Sequence, residues 1–171
     1  MNSFDKFSHL DEQGRSGMVD VGEKKETQRV AVAEARVVFP ASAFSSLLDG
    51  ANPKGSILEV ARVAGVQAAK QTSTLIPMCH NLNLNKVSVD IIQDSGVKNS
   101  LLVICEVSCE GKTGVEMEAM VGASMAALTV YDMTKSLDKG IMIEKVVLKR
   151  KSGGNSENIV HNSTCNFRNL L

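Results

Sequence analysis

Gly111-Lys-Thr-Gly-Val-Glu-Met-Glu-Ala-Met-Val-Gly-Ala-Ser-Met-Ala-Ala-Leu-Thr-Val-Tyr-Asp-Met-Thr-Lys135 is the stretch whose conformation decides the architecture. From Ala119 to Tyr131 no side chain is charged, while Glu116, Glu118, Asp132 and Lys135 bracket that apolar middle. Ala, Met and Leu favour helix, and Gly122 is the only glycine inside. The composition predicts a helix from about Val115 to Leu137, roughly 35 Å long at 1.5 Å per residue. A helix apolar on all sides is buried, either in a core or between subunits. At 100° per residue Val121, Met125, Leu128 and Asp132 share one stripe, with Lys135 a turn further on. A carboxylate on a stripe expected to be buried, with an ammonium three residues later, is costly. Asp132 and Lys135 are therefore the first candidates for chemistry.

Working outward, Leu101 to Ser108 alternates as a strand, and Val87, Val89 and Ile91 alternate with Ser88 and Asp90 across the turn at Asp94-Ser-Gly96. Downstream, Ile141 to Lys149 is a last strand. Upstream, Pro77 prevents Leu75-Ile-Pro-Met-Cys-His80 from continuing a helix that runs from Ser56 to about Thr74, with Ile57, Val60, Ala61, Ala64 and Ala68 at helical spacing. Asn52-Pro-Lys-Gly55 is a turn, and Ser42 is placed to cap a short helix that closes at Asp49-Gly50. Thr27 to Phe39 alternates, with Val30, Val32, Glu34 and Arg36 on one face and Ala31, Ala33, Ala35 and Val37 on the other. Residues 1–26 are expected to be an extended arm, flexible over 1–17, and 155–171 a disordered polar tail opened by Lys151-Ser-Gly-Gly154. The order β-α-α-β-β-α-β contains the β-α-β-β-α-β plan of ferredoxin-like sheets with one added helix. The expected class is α+β, an antiparallel sheet with helices on one face, in a single catalytic domain over 18–154.

The composition narrows the functional classes. With 171 residues, 43% apolar and 22% charged, the chain suits one globular domain with a sizeable core. Nineteen basic residues balance nineteen acidic ones, so no general nucleic-acid or membrane surface is implied and any anion site must be local. No apolar run reaches the ~20 residues of a membrane span, and the N-terminus has no signal-peptide pattern. Four cysteines (Cys79, Cys105, Cys109, Cys165) form no disulfide framework, which points to a reducing, cytoplasmic compartment.

Gly111-Lys112-Thr113 is not a P-loop, because Glu106 stands where that motif needs its first glycine. No CxxC or HxxxH pair suggests zinc, and no metal is expected. His80, after Cys79 at the end of an apolar loop, is either a hydrogen-bonded structural residue or a titrating group with a partner. Lys54, Lys70, Lys112, Lys135, Lys149, Arg150 and Lys151 are either a solvated rim or, beside glycine-rich backbone, a phosphate pocket. Glu116 and Glu118 suit a helix N-terminus through the macrodipole alone, or line a pocket. A ferredoxin-like nucleotide-binding regulatory module, oligomeric and non-catalytic, is the alternative to an enzyme.

Met18-Val-Asp-Val21, Leu75-Ile-Pro-Met-Cys-His80, Gly111-Lys-Thr-Gly-Val-Glu-Met-Glu118, Ala127-Leu-Thr-Val-Tyr-Asp-Met-Thr-Lys135 and Lys151-Ser-Gly-Gly154 together resemble the molybdenum cofactor biosynthesis protein C family, the cyclic pyranopterin monophosphate synthases. The five motifs occur in the same order across roughly residues 17–154. The resemblance implies conversion of (8S)-3′,8-cyclo-7,8-dihydroguanosine 5′-triphosphate to cyclic pyranopterin monophosphate plus pyrophosphate, with no cofactor. It further implies a homohexamer (a trimer of dimers) and a substrate supplied by a radical SAM GTP cyclase. By the same resemblance Asp132 and Lys135 are catalytic. Met78, Cys79, His80, Met117 and Glu118 line the substrate pocket, and Lys54, Glu116 and Lys151 reach it, with Lys70 added as a further phosphate ligand. Gly17 stands where family members often carry His or Arg, and the tail with Cys165 has no counterpart.

Overall fold

The computed structural model describes residues 9–11, 13–49, 56–154 and 159–160. The elements follow the expected order: β1 (Thr27–Val38), α1 (Ala41–Leu48), α2 (Ile57–Lys70), α3 (Thr72–Leu75), β2 (Leu84–Gln93), β3 (Ser100–Gly111), α4 (Glu116–Thr134), β4 (Met142–Ser152) and β5 (Ile159–Val160). The sheet order is β2-β3-β1-β4-β5, and every neighbouring pair is antiparallel. The four long strands thus make the ferredoxin-like arrangement, with β3 inserted between β1 and β2. Ile159–Val160, inside the stretch expected to be a structureless tail, pairs with Lys151 and Arg150 of β4; the rest of that tail lies outside the described residues.

The alternation in β1 sorts its side chains as expected. Ala31, Ala33, Ala35 and Val37 are fully buried, facing the helices with Val103, Cys105, Val107 and Cys109 of β3. The opposite face is half-buried and carries charge pairs: Arg36 with Asp94 at 2.6 Å and Glu144 at 3.1 Å, and Glu106 with Lys86 at 3.0 Å. This division explains why one face alternates small apolar residues while the other tolerates charge.

Helices α2 and α4 cover the sheet. Ser56 caps α2 by accepting the Glu59 N–H at 3.4 Å, and Arg62 Nε donates to Val89 O at 2.9 Å, tying α2 to β2. The predicted single helix to Thr74 breaks at Gln71, whose dihedrals (−105°, 10°) depart from helix and start the short α3. Ser42 does not cap α1: the helix starts directly after Pro40, and Ser42 lies inside it. Pro40 itself takes the N-cap position, at φ −55° and ψ 145°, with no side-chain capping bond.

Helix α4 departs most from expectation. It is shorter at both ends than Val115–Leu137, and it buries a face of small residues: Ala119, Gly122, Ala123, Ala126, Ala127 and Val130. The stripe of Val121, Met125, Leu128 and Asp132 is not buried within the chain; Leu128 is 49% exposed. Small residues win the core side because α4 lies close against both the sheet and α2. A Cβ on Gly65 would come within 2.9 Å of Gly122 O, and one on Gly122 within 2.6 Å of Cys105 Sγ. Among the described residues no helix is long and apolar enough to cross a membrane.

Candidate active site

The register of the sheet gathers three chain segments at one end. Thr27 stands opposite Gly111 in β3, and Val30 opposite Ser152 in β4, so the start of β1 meets the ends of both neighbours. Arg29 Nε donates to Gly111 O at 3.2 Å and its Nη2 to Lys112 O at 3.3 Å. Beyond β4, Gly153 (φ 96°) and Gly154 (φ 80°) pass so close to Gln28 and Arg29 that a Cβ on either would collide with them. Lys151 Nζ reaches Glu116 Oε1 at 2.6 Å, joining the end of β4 to the first turn of α4. These segments wall a cavity of about 590 Å³ whose cations are Lys24, Lys25, Arg29, Lys112 and Lys151.

A second cavity of about 370 Å³ adjoins it, sharing Lys24, Thr113, Gly114 and Glu116. Met78, Cys79 and His80 enter from the loop after α3, Met117 and Glu118 from α4, and Val19 and Val21 from the N-terminal arm. Pro77 ends the helical segment here, which frees the next three residues to turn into the cavity. Glu118 is only 4% exposed, and burial, reinforced by the charge of Glu116, pushes its pKa up to about 7 against the pull of its own backbone N–H. Burial, and secondarily the Glu118 charge, also raise the Cys79 thiol. His80 Nε2 lies 2.8 Å from Val19 O; a carbonyl only accepts, so this ring nitrogen carries the proton.

The cavities therefore bring together Met78, Cys79, His80, Glu116, Met117, Glu118 and Lys151. Lys54 lies outside the described residues. Lys70 borders neither cavity; it edges a shallow recess near His80 and Glu118. Asp132 and Lys135 are elsewhere. They are paired at 2.6 Å, yet sixteen residues of helix separate Asp132 from Glu116, roughly 24 Å along the axis. Their side chains are 64% and 49% exposed, so the buried carboxylate inferred from the stripe is corrected: within one chain it faces outward. The hydrogen bond that Lys135 donates to Asp132 raises the Lys135 pKa, which keeps the ammonium charged in the isolated chain.

Sequence reading missed Lys24, Lys25 and Arg29. The first two sit in a stretch without periodicity, and Arg29 becomes part of the site only through the β1–β3 register, 82 residues from Gly111. The Lys24-Lys25 pair just upstream of the strand, with Arg29 four residues after Lys25, was the available signal. Among the described residues no group of three or more His, Cys, Asp or Glu side chains is placed to hold a metal ion. The chemistry on offer is cation-assisted binding of an oligophosphate beside a pocket with a near-neutral carboxyl group.

Residues 18–154 match the MoaC family. A cyclic pyranopterin monophosphate synthase of Desulfatibacillum aliphaticivorans is 50% identical over 155 residues, covering 91% of this chain and 97% of that protein. Synthases of the same name from Desulforapulum autotrophicum and Chloroflexus aggregans are 51% and 49% identical, covering 88% and 90% of this chain and 91% and 93% of theirs. With most of both partners aligned in each case, the chain belongs to the MoaC family.

Proposed function

We propose that this chain is a cyclic pyranopterin monophosphate synthase of molybdenum cofactor biosynthesis, a lyase that converts 3′,8-cyclised dihydro-GTP to the pterin with release of pyrophosphate. The observation that carries this reading is the joined pair of cavities: a cationic one suited to a triphosphate, opening into a smaller one that holds Glu118, Cys79 and His80. The rearrangement opens the purine imidazole ring, closes a pyrazine ring and closes a cyclic phosphate as pyrophosphate leaves. Each step moves protons, and none changes the overall oxidation level. Glu118, poised near neutrality, serves such transfers in either direction. Lys24, Arg29 and Lys151 neutralise the phosphates.

Asp132 and Lys135 enter this chemistry from a second copy of the chain, because their own cavities lie about 24 Å away along α4. Exposed Leu128 beside Asp132, with exposed Val60 and Val63 on the adjacent α2, supplies an apolar surface for that copy. Enclosed there, Lys135 loses water and its pKa falls towards that of a proton shuttle, with Asp132 orienting it. A hexamer built as a trimer of dimers, working in the cytoplasm on substrate from a radical SAM cyclase, completes the reading. Incubating the purified protein with the cyclised nucleotide tests it: the pterin and one equivalent of pyrophosphate should appear together. Tight binding without product would instead identify a non-catalytic nucleotide-binding module.

A further inference from the structure

The N-terminal arm forms one wall of the smaller cavity, yet no helix or sheet ladder holds its described residues. Val19 and Val21 turn half-buried side chains towards the cavity, while Met18, Asp20 and Gly22 are exposed. Its internal bonds, Lys24 N–H to Val21 O at 3.1 Å and Gly22 N–H to Asp20 Oδ1 at 2.7 Å, shape a local turn without anchoring it. Among the described residues, two hydrogen bonds tie residues 18–24 to the body of the protein. His80 Nε2–H donates to Val19 O at 2.8 Å, and Lys112 Nζ donates to Gly22 O at 2.7 Å. Both donors belong to motifs in which a ligand contact was expected, and both are instead committed to backbone carbonyls of the arm. The segment they pin ends in Lys24, which among the described residues is the one lysine or arginine that borders both cavities.

We infer that His80 and Lys112 are positioning residues that latch the 18–24 strap and thereby place Lys24 where the two cavities meet. This rests on the reading of that site as the synthase pocket. His80 acts on substrate through the strap: with Nε2 spent on Val19 O, only Nδ1 remains for any other partner. Lys24 then bridges the phosphate end and the ring end of the bound nucleotide, and its placement depends on two bonds made more than fifty residues away in sequence.

Deuterium exchange at the Gly22 and Lys24 amides, in the full-length protein without substrate, reads the latch directly. His80→Ala and Lys112→Met should each speed it roughly three- to tenfold, the factor for losing one hydrogen bond. His80→Gln, whose side-chain amide places an N–H near the Nε2 position, should stay near the wild-type rate. In turnover of the cyclised nucleotide, His80→Ala and Lys24→Met should each raise KM more than they lower kcat. The double variant should have a KM no higher than Lys24→Met alone, because both changes remove one interaction. Unchanged exchange in His80→Ala and Lys112→Met would overturn the latch. So would a kcat loss in His80→Ala that Gln does not rescue, or KM effects that multiply. A wild-type protein without turnover would count against the synthase reading, and the exchange rates would then decide the latch alone.

Discussion

Glu118 shows how much of the site depends on one side chain's surroundings. Its place at the start of α4 follows from the helix dipole's preference for carboxylates, but its burial does not, and burial is what moves its titration. Folding raises its pKa from 4.5 to about 7, so across that window the folded state holds more protons than the unfolded chain. The resulting stabilisation is fully present below about pH 4.5 and is lost as pH rises through about 7. Glu118→Gln keeps the shape and stays neutral. Denaturant titrations should show it matching the wild type at about pH 4.5 and exceeding it at pH 8, by on the order of 3 kcal/mol. Turnover should behave oppositely, falling about 10²- to 10⁴-fold and losing the limb of the pH–rate profile near pH 7. An unchanged pH dependence of stability would mean that the carboxyl group is solvated.

At the scale of elements, the contact between α2 and α4 sets the geometry on which the cavities rest. Gly65 and Gly122 let the two helices approach closely, each passing near the other's backbone carbonyl. Alanine ordinarily strengthens a helix by about 1 kcal/mol over glycine. At Gly122 the added methyl would meet Cys105 Sγ at 2.6 Å and Gly65 O at 3.2 Å, so overpacking should win. Gly122→Ala should therefore lower stability by roughly 1–3 kcal/mol, seen as a reduced thermal midpoint; an increase would show that the helices separate without cost. This contact also explains what was legible in the sequence. The period-two pattern of β1 announced its two faces, because Ala31, Ala33, Ala35 and Val37 alternate with Val32, Glu34 and Arg36. Helix α4 announced only that it is a helix: with Ala, Met and Leu all around, no stripe marks the core, and tight packing chooses the small residues. Met78–His80 and Glu116–Glu118 were singled out through the motifs of the family resemblance, and they do line the cavities of the candidate site. Lys24 and Arg29 were not, because strand register rather than local spacing brings them in.

At the scale of the whole molecule, the proposed function divides one active site between two chains. Each chain presents a cavity at the N-terminal end of α4 and the Asp132–Lys135 pair at the other end, about 24 Å away along the helix. Val60, Val63 and Leu128 are exposed on α2 and α4; under the proposed function they form a two-fold contact that would complete two sites at once. The most direct test is pterin formation by mixed oligomers of two variants, Glu118→Gln and Lys135→Ala, co-expressed so that their chains assemble together. Each variant alone should be nearly inactive. In a mixed pair one site receives both defects and the other receives neither, so random assembly should restore about a quarter of wild-type activity. Mixed oligomers that form but stay as inactive as either parent would contradict the shared site.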